Sequence, residues 1–109
     1  MSYQSEKFNA ARHCLMLPHP KGEAVSIGDA FLEISLALSS FDESKLEDVD
    51  VQQQIRRLRE MMDTSEVKHG SELGGWQIKA KAFSVEQRAE VSRLVDELAW
   101  WFSEQGRRG

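Results

Sequence analysis

The sequence predicts an all-α protein, a four-helix antiparallel bundle with a long irregular connection before the last helix, forming a single helical domain over residues 1–109. Three observations carry this expectation. Apolar residues recur at helical spacing in four segments, and capping signatures stand ahead of the later ones. The one stretch that alternates apolar and polar residues, 76–82, has no second strand to pair with.

The first helix is expected over Gln4–Met16, where Phe8, Ala11 and Leu15 share a face. It ends before Pro18, whose ring disfavours helix at the preceding residue. Pro18-His19-Pro20-Lys21-Gly22 then forms a stiff connection. The second helix, from Ala24 to about Ser40, is apolar on two opposite faces. At 100° per residue, Ala24, Ala30, Phe31, Ile34, Ala37, Leu38 and Phe41 fall within about 80° of Ile27. Val25, Leu32 and Leu36 gather on the far side, between flanks of Gly28, Ser35 and Ser39 and of Ser26, Asp29, Glu33 and Ser40. A surface helix needs only one stripe. The first is therefore expected to pack on the third and fourth helices, and the second on the first helix or on a second copy of the protein.

Ser44 with Glu47 and Asp50 with Gln53 both have capping-box spacing. The alignment of Val51, Ile55, Leu58 and Met62 favours a short turn from Ser44 and a main third helix from Asp50 to about Asp63. From Ser65 to Phe83 the pattern weakens around Gly70, Gly74 and Gly75. This stretch reads as an extended or single-turn segment laid over the bundle with Trp76 and Ile78 as plugs, and alternatively as a strand pairing across a dimer. Ser84 with Gln87 opens the last helix, Val85 to about Gln105, whose core stripe is Val91, Leu94, Val95, Leu98, Trp101 and Phe102. Trp100 points away from that stripe, among Arg93, Asp96 and Glu97, and is a candidate partner contact.

Composition excludes several function classes. The mean hydropathy is −0.50, and no uninterrupted apolar run is long enough to span a bilayer. The N-terminal MSYQSEKFNAARH lacks a secretory pattern and the single Cys14 has no internal disulfide partner, which points to the cytosol. The net charge of −4 is unevenly distributed. Residues 23–50 hold Glu23, Asp29, Glu33, Asp42, Glu43, Glu47, Asp48 and Asp50 against the single Lys45. The basic cluster Arg56, Arg57 and Arg59 is short and adjoins that acidic segment, so nucleic acid is not an expected partner.

Candidate chemistry concentrates at the first connection. His13, Cys14, His19 and Glu23, with Asp29 and Glu33 further on, are of the types that ligate transition metals. Their spacing is poor, since adjacent His13 and Cys14 diverge by 100° on a helix and only one thiol exists. No metal or cofactor is expected. Asp29 and Glu33, four apart, are neighbours that would serve acid–base chemistry if burial separated their pKa values. More simply they meet Arg12, Lys21 or an arginine of the third helix. Cys14 with His13 or His19 can be written as a thiol–imidazole pair, yet no activated-nucleophile motif accompanies it, and no phosphate-binding glycine loop exists. Trp76, Trp100, Trp101, Phe31 and Phe41 are candidates to line an apolar pocket, although core packing accounts for most of them.

The function this favours is a cytosolic protein-interaction module, homodimeric and without catalytic activity. Val25, Leu32, Leu36 and Trp100 are the candidate interface residues, and the acidic edge of the second helix or the Trp100 face is the recognition surface. The alternative is a small-molecule or metal pocket beside Pro18–Gly22, built from His19, Glu23, Asp29 and Glu33.

Overall fold

Short polar side chains start three of the helices. The computed structural model describes residues 2–68 and 72–108, with the side chains of 72–73 and 106–108 excepted. Ser2 Oγ accepts the Ser5 amide at 3.0 Å and caps α1 (Tyr3–Cys14). Gly22, at φ +99°, provides the sharp entry to α2 (Glu23–Leu38) without a side-chain cap. A 3-10 turn over Glu43–Lys45 follows, its start bonded to Asp42 Oδ1. Asp48 Oδ1 accepts the Val51 amide at 3.1 Å and begins α3 (Val49–Met62). After α4 (Glu72–Lys81), Ser84 and Gln87 form the expected reciprocal box at 3.1 and 2.8 Å ahead of α5 (Val85–Arg108).

The protein is all-helical, with five helices and no strand among the described residues. That is one helix more than the periodicity indicated. Residues 72–81 are α4, neither an extended segment nor a cross-dimer strand. The alternation of Trp76, Ile78 and Ala80 masked a second pattern, since Trp76, Ala80 and Phe83 are four and three residues apart and all three are buried. Trp76 is a plug as expected, whereas Ile78 faces outward. Gly70 lies outside the described residues. The third helix begins at an Asp48 cap instead of an Asp50 box, and Met61 is its buried methionine rather than Met62. The first two helices also stop two residues earlier than the spacing suggests.

One apolar cluster draws on all five helices: Phe8 and Ala11, the first stripe of α2, Val51 to Met61, Trp76 and Ala80, and Phe83 to Phe102. The closest backbone neighbours of α2 are α1 and α4, and α1 also lies along α5. Gln4 Nε2 reaches the Ala37 carbonyl at 3.4 Å while Lys7 meets Glu33, so α1 and α2 run antiparallel. The Ser5–Ser103 and Arg12–Asp96 bonds, both 3.1 Å, make α5 antiparallel to α1 as well. The first stripe thus takes α1 and α4 as its near neighbours instead of the third and last helices. The second is only partly covered by the described residues, for Leu32 and Leu36 are 41% and 40% exposed and Val25 is half-buried.

Aromatic edges seal the ends of this core. Phe8 stacks on Phe102 with centroids 5.2 Å apart, and Phe41 meets Phe102 edge-on at 5.6 Å. Phe31 takes Trp76 at 6.4 Å and Phe83 at 6.3 Å, both edge-to-face. Trp76 Nε1 donates to the Met62 carbonyl at 3.0 Å, and Lys79 Nζ donates to the carbonyls of Glu60 and Asp63. A cation and an indole from α4 thereby satisfy the orphan carbonyls at the end of α3. No helix among the described residues is long and apolar enough to cross a membrane.

Candidate functional site

The four polar residues singled out in the sequence do not form one pocket. His19 folds back onto α2, its Nδ1 2.9 Å from Ser26 Oγ and its Nε2 4.0 Å from Glu23 Oε2. Glu23 Oε1 accepts from Arg88 Nη1 at 2.9 Å, which extends the chain of contacts to α5. Glu33 lies 3.4 Å from Lys7 Nζ, although its Oε2 makes no hydrogen bond. Asp29 is exposed. Of the expected partners of this acidic edge, Arg12 pairs with Asp96, Arg57 with Glu90 and Arg59 with Glu43, and among the described residues no ion pair joins Lys21 or Arg56 to Asp29 or Glu33.

A cleft of about 490 Å³ does open beside the Pro18–Gly22 loop. His13, Cys14, Leu17, Lys21, Ser26 and Asp29 are among its walls, whereas His19, Glu23 and Glu33 are not. Ser26, His19 and Glu23 stand in the order of a hydrolytic relay, yet Glu23 is committed to Arg88 and the Ser26 amide to the Gly22 carbonyl at 3.2 Å. That amide is unavailable to a developing oxyanion. The trio is a clasp that holds the loop on α2. Burial, and then the carboxylates of Asp29 and Glu33, push the Cys14 thiol up, which opposes formation of the nucleophilic thiolate. Among the described residues no three His, Cys, Asp or Glu side chains converge as a metal would require.

The apolar candidates are arranged differently. On the outer face of α2, Leu36 borders a depression of about 500 Å³ shared with Ser35, Ser39, Arg59, Met62 and Trp76. At the opposite end Val25 adjoins Met16 and Leu17 across the loop cleft, and Leu17 is 82% exposed. Sequence reasoning missed Met16 and Leu17. Their signal was an apolar pair that continues past the last turn of α1 into the proline connection.

Trp100 is 67% exposed, and its groove is lined by none of the described residues of 65–83. It stands over a groove of about 430 Å³ between α3 and α5, lined by Asp50, Val51, Gln54, Asp96, Glu97 and Trp101. The α3 side of this groove was invisible in the sequence, because it depends on which helix lies beside α5. The five aromatics proposed for an apolar pocket do not share one. Phe31 and Trp76 are buried in the core, Phe41 and Trp101 pack on Phe102, and only Trp100 and Trp101 line a common groove.

Comparison with protein-family models, with curated proteins and with solved structures finds no match to the chain.

Proposed function

We propose that the protein is an interaction module without catalytic activity that associates with a second copy of itself through the outer face of α2. The observation that carries this reading is the exposure of Leu32 and Leu36, 41% and 40%, on one helix face with half-buried Val25. Taking a leucine from full exposure to full burial is worth roughly 1.5–3 kcal/mol, and covering the part of Leu32 and Leu36 still exposed contributes the corresponding fraction of that for each.

A second copy suits the face by symmetry. Two α2 helices crossing antiparallel about a twofold axis bring Val25 of one copy toward Leu36 of the other, with Leu32 near the axis. The arrangement opposes the helix dipoles favourably and sets the Met16–Leu17 end of one copy against the Leu36 depression of the other. The 16 residues of α2 span roughly 24 Å, a length that suits the roughly 800 Å² per partner of a stable interface. The single free Cys14 accords with a reducing compartment such as the cytosol.

Leu36→Glu tests the reading. The variant is expected to retain its helical circular-dichroism spectrum and to halve the solution mass. If the mass is unchanged while the fold persists, α2 is not the interface.

The loop cleft supports a second reading, a small-molecule pocket, because His13, Ser26 and Asp29 border a concavity of about 490 Å³. A thermal-shift screen with small amines and carboxylates distinguishes it. Stabilisation that disappears in Asp29→Asn favours the pocket, and a flat screen discards it.

A further inference from the structure

The groove at Trp100 shares no residue with the outer stripe of α2, and its composition is specific. Val51 is buried and Trp101 half-buried, forming an apolar floor, while exposed Asp50, Asp96 and Glu97 form the rim. Among the described residues no lysine or arginine lines it. Among the described residues Trp100 has neither an aromatic partner nor a cation over its ring, the one cation–π contact being Lys7 over Tyr3.

Two of the three rim carboxylates are held in exposed pairs only. Arg12 Nε meets Asp96 at 3.1 Å and Arg93 Nη1 meets Glu97 at 3.6 Å, with all four side chains roughly half exposed. Exposed pairs of this kind contribute little and exchange readily. Asp50 makes no ion pair among the described residues. Gln54, the remaining polar side chain, donates to Glu97 and so orients a carboxylate of the rim.

We propose that this groove receives an arginine side chain from a basic segment of another protein. An arginine is amphipathic in the matching sense: its aliphatic stem lies on Val51 and Trp101, and its guanidinium covers the open face of Trp100 within reach of the three carboxylates. The planar guanidinium both stacks on indole and bonds carboxylates in pairs, which an ammonium does not. The same rim repels phosphate, so a nucleic acid does not fit. This site operates in a monomer as well as in a dimer, and so stands apart from self-association through α2.

Fluorescence anisotropy of a labelled peptide alternating arginine with alanine tests the proposal, with glutamate in place of arginine as the control peptide. The arginine peptide is expected to bind at low salt and the glutamate peptide not to bind. Trp100→Ala weakens binding by about tenfold or more, Trp100→Phe by less because a π face remains, and Asp50→Asn with Asp96→Asn by several-fold. Leu36→Glu binds as the wild type does, which separates this test from that of self-association. Absence of binding, or equal binding by wild type and both Trp100 variants, overturns the proposal. Equal binding would mean only a general attraction to a protein of net charge −4.

Discussion

Arg57 holds Glu90 through two parallel hydrogen bonds, Nε to Oε2 at 2.8 Å and Nη2 to Oε1 at 3.0 Å. This fork joins α3 to α5 on the flank of the bundle that carries the Trp100 groove. Both side chains remain partly exposed, so solvent screens the pair and its contribution is about 1 kcal/mol.

The pair makes stability depend on pH in a defined direction. The hydrogen bonds from Arg57 hold the Glu90 carboxyl below its ordinary range and raise the guanidinium further. A carboxylate whose folded pKa is depressed stabilises the fold above its unfolded pKa, and that contribution is lost as pH falls through the folded value. Glu90→Gln is therefore expected to lower stability by about 1 kcal/mol at pH 7, with the difference from wild type shrinking as the pH falls below the usual glutamate range near 4.3. Urea denaturation across pH checks this, and a constant difference would contradict it.

Gly22→Ala tests the entry to α2. The backbone there has φ +99° and ψ 155°, yet an added Cβ meets nothing within 4 Å. Any loss is therefore conformational strain, expected at about 1–3 kcal/mol with no change in surface properties. Thermal unfolding monitored by circular dichroism measures it.

Phe31→Ala removes the ring that joins α2 to Trp76 and Phe83. The side chain is fully buried, and the expected loss is about 3–5 kcal/mol, much of the stability of a protein this size. Denaturation midpoints and indole fluorescence would both shift, because Trp76 loses an edge contact.

Cys14 is expected to react slowly with a disulfide reagent at neutral pH. Burial raises its pKa, and Asp29 and Glu33 add repulsion. Asp29→Asn is expected to increase the rate several-fold at a given pH without unfolding the protein. An unchanged rate would mean that access alone controls the thiol.

Cross-linking gives a local test of the dimer axis. In a Cys14→Ser background, Leu32→Cys is expected to form an intermolecular disulfide on mild oxidation, because this residue lies near the proposed twofold. Val85→Cys, exposed at the start of α5, is expected not to.

The sequence was most informative where one segment contains the whole signal. The stripe from Ile27 to Leu38, the Ser84–Gln87 box and the outward direction of Trp100 are all set by spacing within a helix. The helix at 72–81 was hidden because Gly74 and Gly75 weaken the helical reading and Trp76, Ile78 and Ala80 mimic a strand. Its stability comes from burying Trp76, Ala80 and Phe83 and from bonding the end of α3, which are tertiary effects. The neighbours of the candidate site residues were hidden for the same reason. Proximity in sequence suggested that His19, Glu23, Asp29 and Glu33 act together, whereas Arg88 and Lys7 draw Glu23 and Glu33 to different neighbours.

Self-association is measured most directly by light scattering on the size-exclusion eluate over a concentration series. The proposed interface predicts a mass approaching twice 12.4 kDa as concentration rises, and a mass of 12.4 kDa for Leu36→Glu under the same conditions. A wild-type mass of 12.4 kDa at every concentration would contradict it and leave the outer stripe of α2 as solvent-facing surface.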